Sequence, residues 1–196
     1  MGTDLRPDED LIEEVKTGVM QSFKELYNRY NTKIYRYIYH LIENRESAED
    51  CTHDVFIHLY KMAGHYTPKA KFSSWLYKMA KNMAFDAIRK RQIRRTTSLD
   101  APVDTSDEGT LLRDLLASHD LNPEKAAESA EIVRLVKKGI SKLNDMDKQI
   151  ILLCDMEKLS HKEVGEILDY PTETVTVKLY RARQRLAKLL RIEGLV

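Results

Sequence analysis

The side chains best placed to do chemistry lie in Phe72–Arg95, FSSWLYKMAKNMAFDAIRKRQIRR. Lys78, Asn82, Phe85 and Arg89 recur there at spacings of four, three and four. On a helix, such spacings share one face. Cations attract phosphate, an amide reads a base edge, and an exposed ring stacks on an unpaired base. The block runs on into Lys90, Arg91, Arg94 and Arg95, more cations than a helix C-terminus needs to balance its dipole. The plain alternative is a core helix with a solvated basic face, and this stretch alone leaves the two readings level. A second basic stripe lies near the end of the chain. Lys178, Arg181, Arg185 and Lys188 line up beside Thr174, with no acid between Thr174 and Leu190. Each contact of such a stripe with phosphate releases counterions, which suits duplex DNA. Its alternative is a helical hairpin with a soluble basic face.

A third cluster invites a metal reading. Glu49, Cys51, His53, Asp54 and His58 crowd one segment, and two acid–histidine pairs sit four apart. The two histidines are five apart and Cys51 points elsewhere. There is no HExxH, no CxxC and no glycine-rich phosphate loop. No metal and no cofactor is expected, and the chain is read as non-enzymatic.

The elements that position these residues are helical throughout. Residues 8–20 form a short amphipathic helix with an acidic first turn. Ser22 and Glu25 have capping-box spacing for a second helix, carrying Phe23, Leu26, Tyr27, Tyr30, Ile34, Tyr37, Ile38 and Leu41 inward. SAED at 47–50 resembles an N-cap for a third. GHYTPKAK at 64–71 reads as a loop, and Ser73 or Ser74 caps the basic helix, with Leu76, Met79, Ala80, Met83 and Ala87 on its apolar back. Residues 96–128 are rich in Asp, Ser and Thr, and read as an extended acidic linker. Helices then return. Ser160 and Glu163 make a capping box for HKEVGEILD, and a turn at Asp169–Pro171 leads to the second basic helix: a helix-turn-helix.

Bulk properties fit this all-α picture. The 196 residues are 42% hydrophobic and 32% charged, with only seven Gly and five Pro. The net charge of +1 conceals two basic blocks separated by an acidic one. No apolar run is long enough to cross a bilayer, the first residues are acidic, and the two cysteines have no metal or redox spacing. A cytoplasmic, reduced protein without membrane insertion is expected.

Four segments together resemble a known family: FKELYNRYNTKIYRYI, ESAEDCTHDVFIHLYK, FSSWLYKMAKNMAFDAIRKR, and LNDMDKQIILLCDMEKLSHKEVGEILDYPTETVTVKLYRARQRLAKLL. In this order they resemble the extracytoplasmic-function sigma factors, small two-domain promoter-recognition subunits of bacterial RNA polymerase. The resemblance implies a region 2 domain over 1–95, a linker over 96–128 and a region 4 domain over 129–196. It implies that Asp50, Asp54, Val55 and Phe56 dock on core RNA polymerase. It implies that Lys78, Asn82, Asp86, Arg89 and Lys90 open and read the minus-ten element, with the 64–71 loop holding a flipped base. It further implies that Thr174, Lys178, Tyr180 and Arg181 read the minus-thirty-five element, with Arg185 on phosphate. Core polymerase, promoter DNA and an anti-sigma factor are the partners it implies, with the free protein a monomer.

There are departures from the family pattern. Glu173, Thr176 and Val177 stand in a run often written Gly-Thr-Val-Lys/Arg-Ser, and Cys154 replaces a common Arg. They put the usual minus-thirty-five specificity in doubt. They also keep open a sigma-like mimic that sequesters an anti-sigma factor and never binds promoters.

Overall fold

A computed structural model describes residues 6–97 and 123–192. The described residues contain eight helices and no strand: α1 Asp8–Lys16, α2 Met20–Ile42, α3 Arg45–Met62, α4 Phe72–Thr97, α5 Pro123–Ser141, α6 Asp145–Ile151, α7 His161–Leu168 and α8 Thr172–Ile192. A π-helical turn, Leu152–Met156, extends α6. The linker reading falls largely outside the described residues. Helix α4 runs to Thr97 and α5 begins at Pro123, so helix encroaches on both ends of the segment read as linker.

Three expected helix starts differ from the sequence reading. Helix α2 begins at Met20 after an uncapped Val19, and Ser22 lies inside it, donating to Glu14 of α1. Gly18, at φ 89, makes the bend that lets α1 fold back over α2. Asn44, not the SAED segment, caps α3 by accepting from the Ser47 amide at 2.9 Å. At the start of α4, the Phe72 amide donates to Glu9 of α1 at 3.2 Å, so an acid 63 residues away supplies a contact expected of a local serine. At α3 an asparagine and at α4 a distant glutamate satisfied an orphan amide, whereas α2 starts without a side-chain cap and the Ser22 hydroxyl is spent on Glu14.

Helices α1–α4 pack around aromatic side chains. Tyr27 meets Phe56 edge-on at 4.8 Å, Tyr30 meets Phe72 at 5.5 Å and Tyr37 meets Tyr77 at 5.5 Å. Leu76 and Ala80 of α4 are fully buried against this core, with Met79, Met83 and Ala87 half-buried beside it. In the second group Val175, Leu179 and Ala182 of α8 are buried with Ile150, Leu153, Val164 and Ile167. Burying each large aliphatic side chain is worth roughly 1.5–3 kcal/mol.

The two groups touch. Arg36, His40 and Glu43 of the α2 end meet α6 and the π-turn, while the first half of α4 meets α7. Lys148 of α6 reaches Glu43 at 2.7 Å. Glu157 is buried, with only 3% of its side chain exposed, and accepts from the Tyr77 hydroxyl at 2.7 Å, with Arg36 at 3.7 Å. Burial pushes the Glu157 carboxyl above its ordinary range, against the pull of Tyr77 and Arg36.

Candidate nucleic-acid interface

Helix α8 is held by its turn as the second helix of a helix-turn-helix. Ser160 accepts from the Glu163 amide while Glu163 accepts from the Ser160 amide, closing the capping box at the start of α7. Helix α7 ends with Asp169 at φ 60, and the Tyr170 amide returns to the Gly165 carbonyl at 3.0 Å. A Cβ on Gly165 would lie 2.6 Å from the Tyr170 carbonyl oxygen, so only glycine allows this approach. The turn delivers α8 with Val175, Leu179 and Ala182 inward. Glu173, Thr176, Val177, Tyr180, Arg181 and Gln184 lie outward.

The structure divides the predicted residues of α8. Arg181 is exposed and Tyr180 is 64% exposed, its hydroxyl accepting from Gln184 at 2.7 Å. Thr174 is half-buried. Lys178 leans back, its ammonium 5.0 Å from the Tyr170 ring centre. Arg185 is paired with the buried Asp147 of α6, which ties its guanidinium to the fold in this state. Thr176 is turned toward α7, its hydroxyl 2.9 Å from His161 Nδ1 and 3.2 Å from the Thr172 carbonyl. Cys154 is buried in the π-turn, its thiol pushed up to about 11 by burial and then by Asp155. Asp155 itself takes two hydrogen bonds from Arg183, at 2.5 and 3.0 Å.

The α4 stripe is partly covered, and Phe85, read as its exposed ring, is half-buried against the core. Asn82, Asp86, Arg89 and Lys90 are exposed, and Arg89 pairs with Asp86 at 3.2 Å. Lys78 donates to Asp169 at 2.5 Å and to the Glu166 carbonyl at 3.4 Å. Lys81, which sequence reasoning passed over, donates to the Ile167 carbonyl at 2.8 Å and lies 3.8 Å from Asp169. The C-terminus of α7 thus offers two carbonyls and a carboxylate to two lysines, where the negative end of the helix dipole favours cations. Lys78 holds the Asp169 carboxyl below its usual range, and burial lowers the Lys81 ammonium despite Asp169. The signal that could have found Lys81 is its three-residue offset from Lys78 on one helix face.

The 64–71 loop is pinned rather than open. Tyr66 is buried, its hydroxyl donating to the Ala70 carbonyl at 2.9 Å and its ring 5.3 Å from Trp75. Lys71 and Ser73 both reach Glu163 of α7, at 3.3 and 3.2 Å.

On α3, Asp50 and Asp54 stand on the surface, beside a groove shared with Asp86 and Lys90. Val55 and Phe56 do not: both are core residues, Phe56 packing on Tyr27. The expectation that all four form one contact surface is therefore corrected, because Val55 and Phe56 lie five and six residues from Asp50 and one and two from Asp54, which turns them about 100–160° away from the acids around the helix. Ile57 and Tyr60 are the exposed apolar residues of α3 instead, lining a groove with Met20, Phe23 and Tyr27. Within the acid–histidine cluster, Glu49 pairs with Arg45 at 2.9 Å and Cys51 is buried.

Comparisons with known proteins agree with this arrangement. The sigma-70 region 2 family matches residues 26–94 and the sigma-70 region 4 family matches residues 134–186. The chain is 34% identical over 180 residues to the ECF RNA polymerase sigma factor SigW of Bacillus subtilis, covering 92% of this chain and 95% of that one. It is 30% identical to the ECF RNA polymerase sigma-E factor of Haemophilus influenzae, over 91% of this chain and 93% of the relative. Among solved structures, the fold is similar to CnrH in complex with the cytosolic domain of CnrY, at a TM-score of 0.68 and 18% identity over 95% and 99% of the two chains. It is also similar to the sigma factor RpoE in complex with the anti-sigma factor NepR from Bartonella quintana, at a TM-score of 0.65 and 19% identity over 88% and 98%. With two family matches in this order and relatives aligned nearly end to end, the chain belongs to the extracytoplasmic-function family of RNA polymerase sigma factors.

Proposed function

We propose that this chain is a promoter-specificity subunit of bacterial core RNA polymerase, with α4 acting at the minus-ten element and α8 at the minus-thirty-five element. Region 2 would correspond to residues up to about 95 and region 4 to the helices after the linker. The observation that carries the reading is the pair of cationic helix faces on one chain, one of them on a helix-turn-helix with Tyr180 and Arg181 outward. Asn82, Arg89 and Lys90 supply amide and cationic groups for a strand being separated, and Lys78 and Lys81 join them once α7 moves away. Duplex is read by the outward residues of α8, with phosphate contacts holding its register. Asp50 and Asp54, with the exposed Ile57 and Tyr60, give α3 a mixed acidic and apolar surface for polymerase. The factor works in the cytoplasm and catalyses no reaction itself.

An anti-sigma factor as regulator follows from the relatives, one of which is seen with NepR. Such a protein would act by favouring an arrangement in which Lys78 and Lys81 stay on α7.

One observation favours the mimic: Arg185 and Thr176 are engaged within the fold, and Glu173 places a negative charge on the outward face of α8. A single experiment separates the two readings. The purified protein is mixed with bacterial core polymerase and a fragmented genomic library, and transcript starts are mapped. Defined starts sharing an upstream motif are expected. Tight binding to an anti-sigma factor without polymerase binding or starts would overturn the proposal in favour of the mimic.

A further inference from the structure

Val177 is 50% exposed on α8 and belongs to no packing cluster. It lies two residues from both Val175 and Leu179, about 200° around the helix from each, so it points away from the core that they enter. Its neighbours one turn away are Glu173, Thr174, Tyr180 and Arg181, all on or beside the outward face. An exposed, unpacked valine gains nothing for the helix, because β-branching lowers helix propensity. It does bring two methyl groups in a preferred χ1 rotamer to the middle of the face presented outward.

In the major groove the edge of a base pair offers hydrogen-bond donors and acceptors, and one apolar group, the C5-methyl of thymine. A valine can satisfy none of the polar groups, so it favours the base pair that has the methyl. Over cytosine the same side chain would meet an amino group with no acceptor and a gap one methyl in size. Arg181, one turn further along and without an ion pair among the described residues, is the side chain suited to the guanine edge nearby.

We propose that Val177 is a specificity residue of the upstream element, reading a thymine methyl on the base pair it faces. The inference rests on the promoter-binding reading of α8 and narrows it: the altered residue changes what is read, rather than removing the ability to read.

The test uses the full chain with core polymerase on a promoter selected in vitro by the wild-type protein. Each thymine of the upstream element, on either strand, is replaced in turn by deoxyuridine, which removes only the methyl. At one position the wild-type protein should lose about four-fold in initiation, the worth of one buried methyl. Val177→Ser, which changes an exposed residue, should initiate with no loss at that position, and a thermal melt should show its fold unchanged. Equal initiation at every uracil position, an upstream element without thymine, or the same methyl dependence in Val177→Ser would each overturn the proposal while leaving the sigma reading standing. Absence of any defined start would overturn both. If Val177→Ser instead weakened binding of polymerase or an anti-sigma protein without changing base preference, Val177 would belong to a protein contact and the proposal would fall.

Discussion

Residues on one helix face can share a surface and still differ in what they are free to do. In α4, Asn82 and Arg89 remain exposed while Lys78 is held on Asp169. Substituting the exposed pair should therefore act on DNA and on little else. Asn82→Ala and Arg89→Ala should each slow promoter opening by about ten-fold, the scale of losing one polar contact to nucleic acid, of about 1–3 kcal/mol. Their affinity for core polymerase should stay within about two-fold, because neither lines the groove beside Asp50 and Asp54. Permanganate footprinting of the melted region, beside a polymerase-binding titration, measures the two effects separately. Loss of polymerase binding in either variant would sink the assignment. Lys81 shows the limit of reading one stripe at a time: its role as a second cation at the end of α7 needed the other group of helices to be in place.

At the scale of elements, the helix-turn-helix is the best-determined part because its instructions are local. The Ser160–Glu163 box, the left-handed Asp169 and the turn at Pro171 all lie within a dozen residues, and the structure realises each of them. Among the described glycines, Gly165 is the one where a Cβ would meet backbone, a carbonyl that cannot rotate aside, whereas at Gly139 the close atoms are leucine side-chain ends. Gly165→Ala should lower the stability of the α6–α8 unit by about 2 kcal/mol, in the range of overpacked sites, although alanine is the better helix former. A urea titration followed by circular dichroism measures this, and an unchanged or raised midpoint would contradict the close approach of α7 and α8. Starts of helices whose caps came from elsewhere were not legible in the same way. Glu9 reaching the Phe72 amide across 63 residues is invisible to any local window.

At the scale of the whole molecule, the two groups of helices meet through groups that titrate. His40 is buried where Lys137, Lys148 and Arg36 converge, and burial, followed by these charges, pushes its imidazole down to about 4 from 6.5. A base with a depressed pKa stabilises the closed form fully above 6.5, and that stability is lost as pH falls from 6.5 toward 4. Between pH 7.5 and 5.5 the loss is on the order of 1 kcal/mol. Glu157 acts with the opposite sign: its raised pKa favours the closed form as pH falls, in the window upward from 4.5. Between pH 7.5 and 5.5 the loss of the histidine contribution should expand the molecule, and His40→Leu should remove the change. Small-angle scattering at fixed salt measures it. A wild-type protein equally compact at both pH values, or more compact at 5.5, would show that His40 does not govern the contact. Lys78 and Lys81 are held across the same junction, by the C-terminal end of α7.

The amino-acid sequence by itself determined that the chain is helical, most of the apolar faces, both cationic stripes and the turn between α7 and α8, since these depend on periodicity and short-range chemistry. It also carried the family, through four segments whose order needed no coordinates. Only the tertiary structure decided that Val55 and Phe56 are core and Ile57 and Tyr60 surface, because α3 is packed between α2 and α4 and its acidic edge alone could not say which apolar residues face inward. Only it showed Arg185 held by Asp147 and Lys78 by Asp169, partners 38 and 91 residues away. A charge on a helix face is visible in the sequence. Whether it meets solvent, a carboxylate or a phosphate depends on which other surface folds against it.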